Sequence, residues 1–351
     1  MTAPQLTSET VRQLARECGF ELAGVARAEP AADRERYRRW VEAGYAGEMR
    51  YLTDRRAAVR DDPRALLPSA RSVISVGRLY HTPWPYSTQF DEPGRGWISR
   101  YAWGSDYHAE MRRGLQRLEQ SLRERAGGAL EARILVDTAP LLERTYARLA
   151  GLGWIGKNTC LINQQRGSWF FLGELLVSLA IEPGPGDAPP PGRCGTCTRC
   201  IDACPTAALV PSGDGYTLDA RLCISYFTIE LRGAIPEEHR AGMGAHVFGC
   251  DICQDVCPWN RRAPVTAEPA FSPRWFAPPL ERMAEISEAD FRRMFGGTPV
   301  TRARYSGFLR NVAIAMGNQR HPEFRPALER LAASPDPLVA EHAAWALRQL
   351  P

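Results

Sequence analysis

Lysine is almost missing from this chain. Of 44 basic residues, 43 are arginine and one is Lys157. Alongside plentiful alanine, proline and glycine, this bias is most simply that of a GC-rich genome, and the net charge is only +4. The total charge therefore marks no nucleic-acid partner. Against such drift a retained lysine stands out, because an ammonium and a guanidinium are not interchangeable in a confined site. Long apolar runs are lacking as well: the longest, residues 168–181, is interrupted by Glu174 and is too short to span a bilayer. The opening MTAPQLTSETVRQL has no apolar signal region, which argues against a disulfide framework. A soluble protein of a reducing cytoplasm, without a membrane partner, is the expectation.

Cysteine is what the chain does have. Eight of its ten cysteines fall into two ferredoxin-type groups, Cys194-x2-Cys197-x2-Cys200-x3-Cys204-Pro205 and Cys223 followed by Cys250-x2-Cys253-x3-Cys257-Pro258. Three closely spaced thiolates let one loop wrap a cubane, and in two-cluster ferredoxins the cysteine before the proline ligates the other cluster. That logic gives one [4Fe–4S] cluster Cys194, Cys197, Cys200 and Cys257, and the other Cys204, Cys223, Cys250 and Cys253. Structural zinc also uses Cys-x2-Cys pairs, but not two Cys-x2-Cys-x3-Cys-Pro endings. Cys18 and Cys160 are left over and are expected to be core thiols.

With 351 residues there is room for two or three compact units. Apolar periodicity predicts helices over 8–18, 31–43, 106–125 and 141–150, and strands over 20–26, 72–80 and 131–138. Segments 160–163 and 168–180 read as strands joined by the turn 164–167. The expected fold is α/β (α+β), with an α/β domain over 1–185. EPGPGDAPPPGR, residues 182–193, reads as a linker, and a double-cluster module occupies 186–262. Region 263–351 reads as helical, over 311–317, 326–333 and 337–350. ALERLAASPDPLVAEHAAWALRQL has the look of one HEAT-type repeat or of a plain helical cap.

Clusters carry single electrons and do not by themselves define a reaction, so the chemistry must sit in the N-terminal domain. Four of its segments are unusual. Arg60 ends an arginine-rich stretch, and Arg100, Tyr101 and His108 lie in RYAWGSDYH at a helix entrance. Asp137 stands at the carboxyl end of a buried strand, in DTAPLLER, where it is either a helix N-cap or a functional acid. GLGWIGKN carries Lys157 and Asn158 on a glycine-rich loop, where ammonium and amide donors suit a cofactor amide or phosphate.

Taken together, DTAPLLER, GLGWIGKN, RYAWGSDYH, CISYFTIE and the two cysteine motifs resemble epoxyqueuosine reductase over nearly the whole chain. The resemblance implies a nitroreductase-like corrinoid-binding domain, a ferredoxin-like two-cluster module and HEAT-like C-terminal helices. It implies base-off cobalamin and two [4Fe–4S] clusters, fed by an external low-potential donor. The substrate would be a tRNA with a queuosine-type anticodon, whose epoxyqueuosine is reduced to queuosine, and the enzyme a monomer. Asp137 matches the family's proton donor, a role for which a carboxyl group raised by desolvation is suited. Arg60, Arg100, Tyr101, His108, Lys157, Asn158 and Ser225 would surround the corrinoid, and Arg261, Arg262 and Arg310 are candidates for tRNA phosphates. Two other classes remain open at this point. A corrinoid reductive dehalogenase usually carries a twin-arginine signal that is absent here, and a non-catalytic electron carrier would leave DTAPLLER and GLGWIGKN without a task.

Overall fold

In a computed structural model, the chain is described over residues 6–128, 130–213 and 215–351. Four antiparallel strands form the main sheet, in the order Leu22–Arg27, Ser72–Leu79, Phe170–Val177 and Ala132–Leu135. The two inner strands read SVISVGRL and FFLGELLV and are buried almost throughout. Such unbroken apolar runs are what a strand needs when both faces of its sheet are covered.

One face is covered by Ser8–Glu17 and Tyr107–Arg125. Met111, Leu115, Leu118 and Leu122 recur at helical spacing and are all fully buried against Ile74, Val76 and Leu175. Each such burial contributes about 1.5–3 kcal/mol. On the other face Glu143–Leu149 packs Tyr146 and Ala147 against Val73, Leu135 and Leu176. Among the described residues no helix is long and apolar enough to cross a membrane.

Three expectations change. Leu161–Ile162 pairs with Trp154–Ile155 and not with the strand that follows it. The turn closes through a bridge between Asn163 and Gly167, after which the chain enters the main sheet. The proline–glycine segment 182–193 is not a loose tether. Its Asp187, buried at 1% exposure, accepts hydrogen bonds from Val25 N, Gly184 N and Arg12 Nη1 and pins the segment to the sheet edge. The third concerns the first of the C-terminal helices, which runs over Arg304–Gln319 and not only 311–317.

A second large core joins the cysteine-rich segment to the C-terminal helices, through Phe227, Val247, Phe248, Phe295, Phe308 and Val312. Arg325–Ala332 and Pro337–Gln349 dock on Arg304–Gln319. Gly317 makes that crossing close: a Cβ there would lie 2.8 Å from Ala346 Cα. Arg310 belongs to this core and not to a tRNA-binding surface. It is 1% exposed, and its guanidinium donates to the carbonyls of Phe227, Leu231 and Gly233, fixing the end of the Ile224–Ile229 helix. Arg261 and Arg262 are exposed.

Candidate active site and cluster-binding segment

The Ala132–Leu135 strand ends one residue before a tight reversal. Asp137 has φ +55°, and Thr138 N donates to Val136 O across it at 2.5 Å. This is a positive-φ γ-turn, a strained geometry for a residue with a side chain. The following helix begins at Glu143 behind Leu142, so Asp137 is not its cap. The turn presents the Asp137 carboxylate, 43% exposed, beside three other elements. His108 Nε2 is 3.3 Å from Asp137 Oδ2, and the opposite ring nitrogen is 2.7 Å from Asp106 Oδ1. From the C-terminal region Arg302 places Nη1 3.8 Å from Asp137 Oδ2. Arg302 is itself held by Glu230 at 2.8 Å and by the Tyr51 hydroxyl at 3.1 Å. Tyr107 stacks on His108 at 4.2 Å and on Phe171 at 4.3 Å, with Tyr101 edge-on to it at 6.3 Å.

These charges redistribute the protons. Burial alone would push the Asp137 carboxyl up, but its hydrogen bond and attraction to His108, then the charge of Arg302 and the Tyr107 hydroxyl, hold it below the ordinary carboxylate range. The expectation of a raised Asp137 is therefore corrected. Burial disfavours charge on His108, yet its bonds to Asp106 and Asp137 raise it to about 9. At neutral pH the pair is an imidazolium against a carboxylate, with the proton stored on His108.

The cysteines gather in two sets. Cys194, Cys197, Cys200 and Cys257 line one cavity of about 300 Å³ together with Lys157, Asn158 and Trp259. Burial first, then Cys257, Cys194 and Cys197, push the Cys200 thiol up to about 11. Cys250 is raised by burial, then by Cys223 and Cys204. These directions describe free thiols, and ligation to iron would remove the protons. Among the described residues, no three His, Cys, Asp or Glu side chains close on a point as they would around a single metal ion. Cys160, expected in the core, instead faces Cys253. A thiol hydrogen bond lowers Cys160 and raises Cys253.

The other candidate residues separate by what already occupies them. Lys157 Nζ donates to the carbonyls of Gly195 at 2.8 Å and Cys197 at 3.1 Å, so its ammonium secures the first cysteine loop. Asn158 donates to Cys253 O at 3.2 Å and accepts from Cys160 N at the same distance. Even the glycines of that loop serve its own packing: a Cβ on Gly153 would lie 2.3 Å from Ile162 O. Arg100 is 2% exposed and donates to the carbonyls of Thr82, Trp84 and Pro85. Arg60 lies buried over Tyr37 and donates to Arg56 O. Ser225 turns its backbone N–H and hydroxyl to Cys223. Only Tyr101 and His108 stand with Asp137. Tyr101 also touches the strand that leads to Cys250, 6.1 Å from the Phe248 ring. Its neighbour Arg100 donates its N–H to Asp251, between Cys250 and Cys253.

Sequence reasoning missed Arg302, Glu230, Tyr51 and Tyr107. Glu230 ends the CISYFTIE run and Tyr107 lies within RYAWGSDYH, so both were in view. Arg302 is one arginine among 43 and carries no local mark of its role.

An acid–base cluster set beside a segment with two groups of four cysteines has the parts of an iron–sulfur oxidoreductase. The family model for a 4Fe-4S double cluster binding domain matches residues 193–260, and the one described as epoxyqueuosine reductase QueG, DUF1730, matches residues 60–138. An epoxyqueuosine reductase of Xanthomonas campestris is 42% identical, over 99% of this chain and 97% of that protein. The Escherichia coli epoxyqueuosine reductase is 41% identical, over 97% and 89%. A crystal structure of epoxyqueuosine reductase with an epoxyqueuosine-modified tRNA-Tyr stem loop superposes with a TM-score of 0.87 at 30% identity, covering 97% of this chain and 89% of that one. A Bacillus subtilis epoxyqueuosine reductase, described with its catalytic aspartate loop swung out of the active site, gives 0.86 at 30% identity with the same coverage. The chain belongs to the epoxyqueuosine reductase family.

Proposed function

We infer that the protein reduces the epoxide of epoxyqueuosine in tRNA to the alkene of queuosine. The observation that carries this reading is the near-full-length match to epoxyqueuosine reductases, which takes in both the Asp137 cleft and the cysteine segment. Opening the epoxide consumes two electrons and two protons and releases water. When bound, the two [4Fe–4S] clusters and a base-off cobalamin supply the electrons, drawn from an external low-potential donor. In the cluster assignment Cys194, Cys197, Cys200 and Cys257 hold one cubane, and Cys204, Cys223, Cys250 and Cys253 the other. The common lining of one cavity by the first four supports it.

The donor set of the cleft fits a corrinoid. Tyr101 lies between the Asp137 turn and the strand leading to Cys250, and offers a phenol to an amide-fringed ring. Both nitrogens of His108 are taken by carboxylates, so its imidazole would serve proton transfer beside a bound corrinoid. In this reading the proton held on His108 passes through the Asp137 carboxylate to the leaving epoxide oxygen. The Asp137 turn would then correspond to the catalytic aspartate loop that is swung out of the active site in the Bacillus subtilis structure.

The same reading proposes a nitroreductase-like domain to residue 185, a ferredoxin-like module to 262 and HEAT-like helices beyond it. Arg261 and Arg262 are the remaining phosphate candidates of the three arginines, and the active unit is a monomer.

The test is anaerobic reconstitution followed by turnover. Protein loaded with iron, sulfide and cobalamin is expected to convert epoxyqueuosine in a tRNA stem-loop, with binding that weakens as salt rises. Loaded protein that binds cobalamin yet leaves the epoxide intact would remove the assignment.

A further inference from the structure

Two glutamates lie beneath the Asp137 turn, and the reaction as described uses neither. Glu143, first residue of the helix on that face of the sheet, accepts the Asp137 N–H on Oε1 at 2.6 Å. Glu174 sits in the Phe170–Val177 strand, paired in register with Ser75 on one side and Leu135 on the other. It is 0% exposed, and the side chains that face its carboxyl are those of Glu143 and Ser75. An isolated ionised carboxylate in the middle of a sheet would be prohibitively costly, so such a group keeps its proton unless a second carboxyl shares it. Glu143 is that second carboxyl, and each acts on the titration of the other.

We propose that Glu143 is a positioning residue for Asp137, and that Glu174 shares one proton with Glu143 and so holds the Glu143 carboxylate against the Asp137 N–H. This rests on Asp137 being the acid of the reaction. The backbone geometry gives the proposal its force. Asp137 occupies a positive φ that a residue with a Cβ leaves when unrestrained. The Thr138 N–H and hydroxyl, both donating to Val136 O, and the bond to Glu143 hold it there. Released, the turn would relax and swing its carboxylate away from His108 and Arg302.

The charge states agree with the geometry. Burial, then the neighbouring Asp137 charge, push Glu143 up to about 7, and burial followed by Glu143 takes Glu174 well above the carboxylate range. Two carboxyls that hydrogen-bond each other, both raised by burial, titrate as a coupled pair. Arg144 and Tyr107 also face Glu143, but neither is hydrogen-bonded to it in a way that would replace Glu174.

The test is steady-state kinetics of the fully loaded enzyme on epoxyqueuosine stem-loop. Glu143→Ala is expected to lower kcat by about 10²-fold, the size of loss that a misplaced catalytic group produces, with KM unchanged. Glu143→Gln retains an oxygen that accepts the Asp137 N–H and is expected to keep most of the wild-type kcat. Glu174→Gln, a permanent donor to Glu143, should likewise be tolerated, whereas Glu174→Leu should behave as Glu143→Ala. The deciding measurement adds Glu143→Ala to an Asp137→Asn background. A residue acting through Asp137 causes no further loss there, whereas a merely structural residue lowers activity in both backgrounds. Additive losses, equal damage from Glu143→Ala and Glu143→Gln, or a change confined to KM would each overturn the proposal. An active Asp137→Asn enzyme would instead remove the reading on which it rests. Iron content and melting temperature of each variant separate these outcomes from failure to fold.

Discussion

The imidazole of His108 is held between two carboxylates, its Nδ1 2.7 Å from Asp106 and its Nε2 3.3 Å from Asp137. A histidine whose folded pKa is raised to about 9 gives stability that is complete below its ordinary value and is lost as pH rises through 9. The proton follows the same window, so turnover is expected to fall above about pH 9. Asp106→Asn removes one of the two partners that raise His108 and should move that fall to lower pH. A pH profile of kcat that is identical in wild type and Asp106→Asn would show that His108 is not the proton store.

Asp137→Asn keeps the size of the side chain and the N–H that Glu143 accepts, but it cannot carry a proton to an epoxide oxygen. Cobalamin and tRNA binding should persist while turnover drops by ~10²–10⁴-fold, as when a general acid is lost. Near-normal turnover would reassign the acid.

Iron content tests the cysteine sets. The loaded protein should hold about eight irons, two cubanes of four. Cys200→Ala should lose the cluster built on Cys194, Cys197 and Cys257, and Cys253→Ala the other one. Cys160→Ala is the control, because Cys160 faces Cys253 but falls outside both groups of four. If Cys160→Ala lowers iron as much as Cys253→Ala, the second ligand set is wrong.

The cysteine pattern and the strand-end aspartate were legible in sequence because their signals are local: fixed spacings, and a carboxylate closing an apolar strand. The sheet and its helices were legible through periodicity, with element ends shifted by a few residues. What could not be read is who meets whom. Lys157 looked like a cofactor ligand because a glycine loop surrounds it, yet those glycines serve close packing on Ile162 and the ammonium finds two carbonyls 38 and 40 residues away. Arg302 reaches Asp137 only through the tertiary fold. Glu174 did leave a trace, as the one charge inside the longest apolar run, but its relation to Glu143 requires the strand register and the helix start together.

Arg310 illustrates the same limit with a measurable consequence. Its guanidinium satisfies three carbonyls at the end of the Ile224–Ile229 helix, and burial lowers it to about 10. Arg310→Ala strands those carbonyls, each unsatisfied group costing about 1–3 kcal/mol. A lowered melting temperature with unchanged tRNA affinity in the folded fraction is expected. Loss of affinity at unchanged stability would return Arg310 to the substrate surface.

Lys157→Arg is the most discriminating substitution, because the chain has taken arginine at every other basic position. A compact ammonium can point at the carbonyls of Gly195 and Cys197 from a single nitrogen, while a planar guanidinium spreads its donors and needs more room. The strain would fall on the loop that carries Cys194 and Cys197, which line the same cavity as Lys157. Iron content and the spectrum of the first cluster should therefore suffer in Lys157→Arg, with cobalamin affinity unchanged in molecules that retain both clusters. If cobalamin affinity falls while iron stays complete, Lys157 faces the corrinoid and not the cysteine loop.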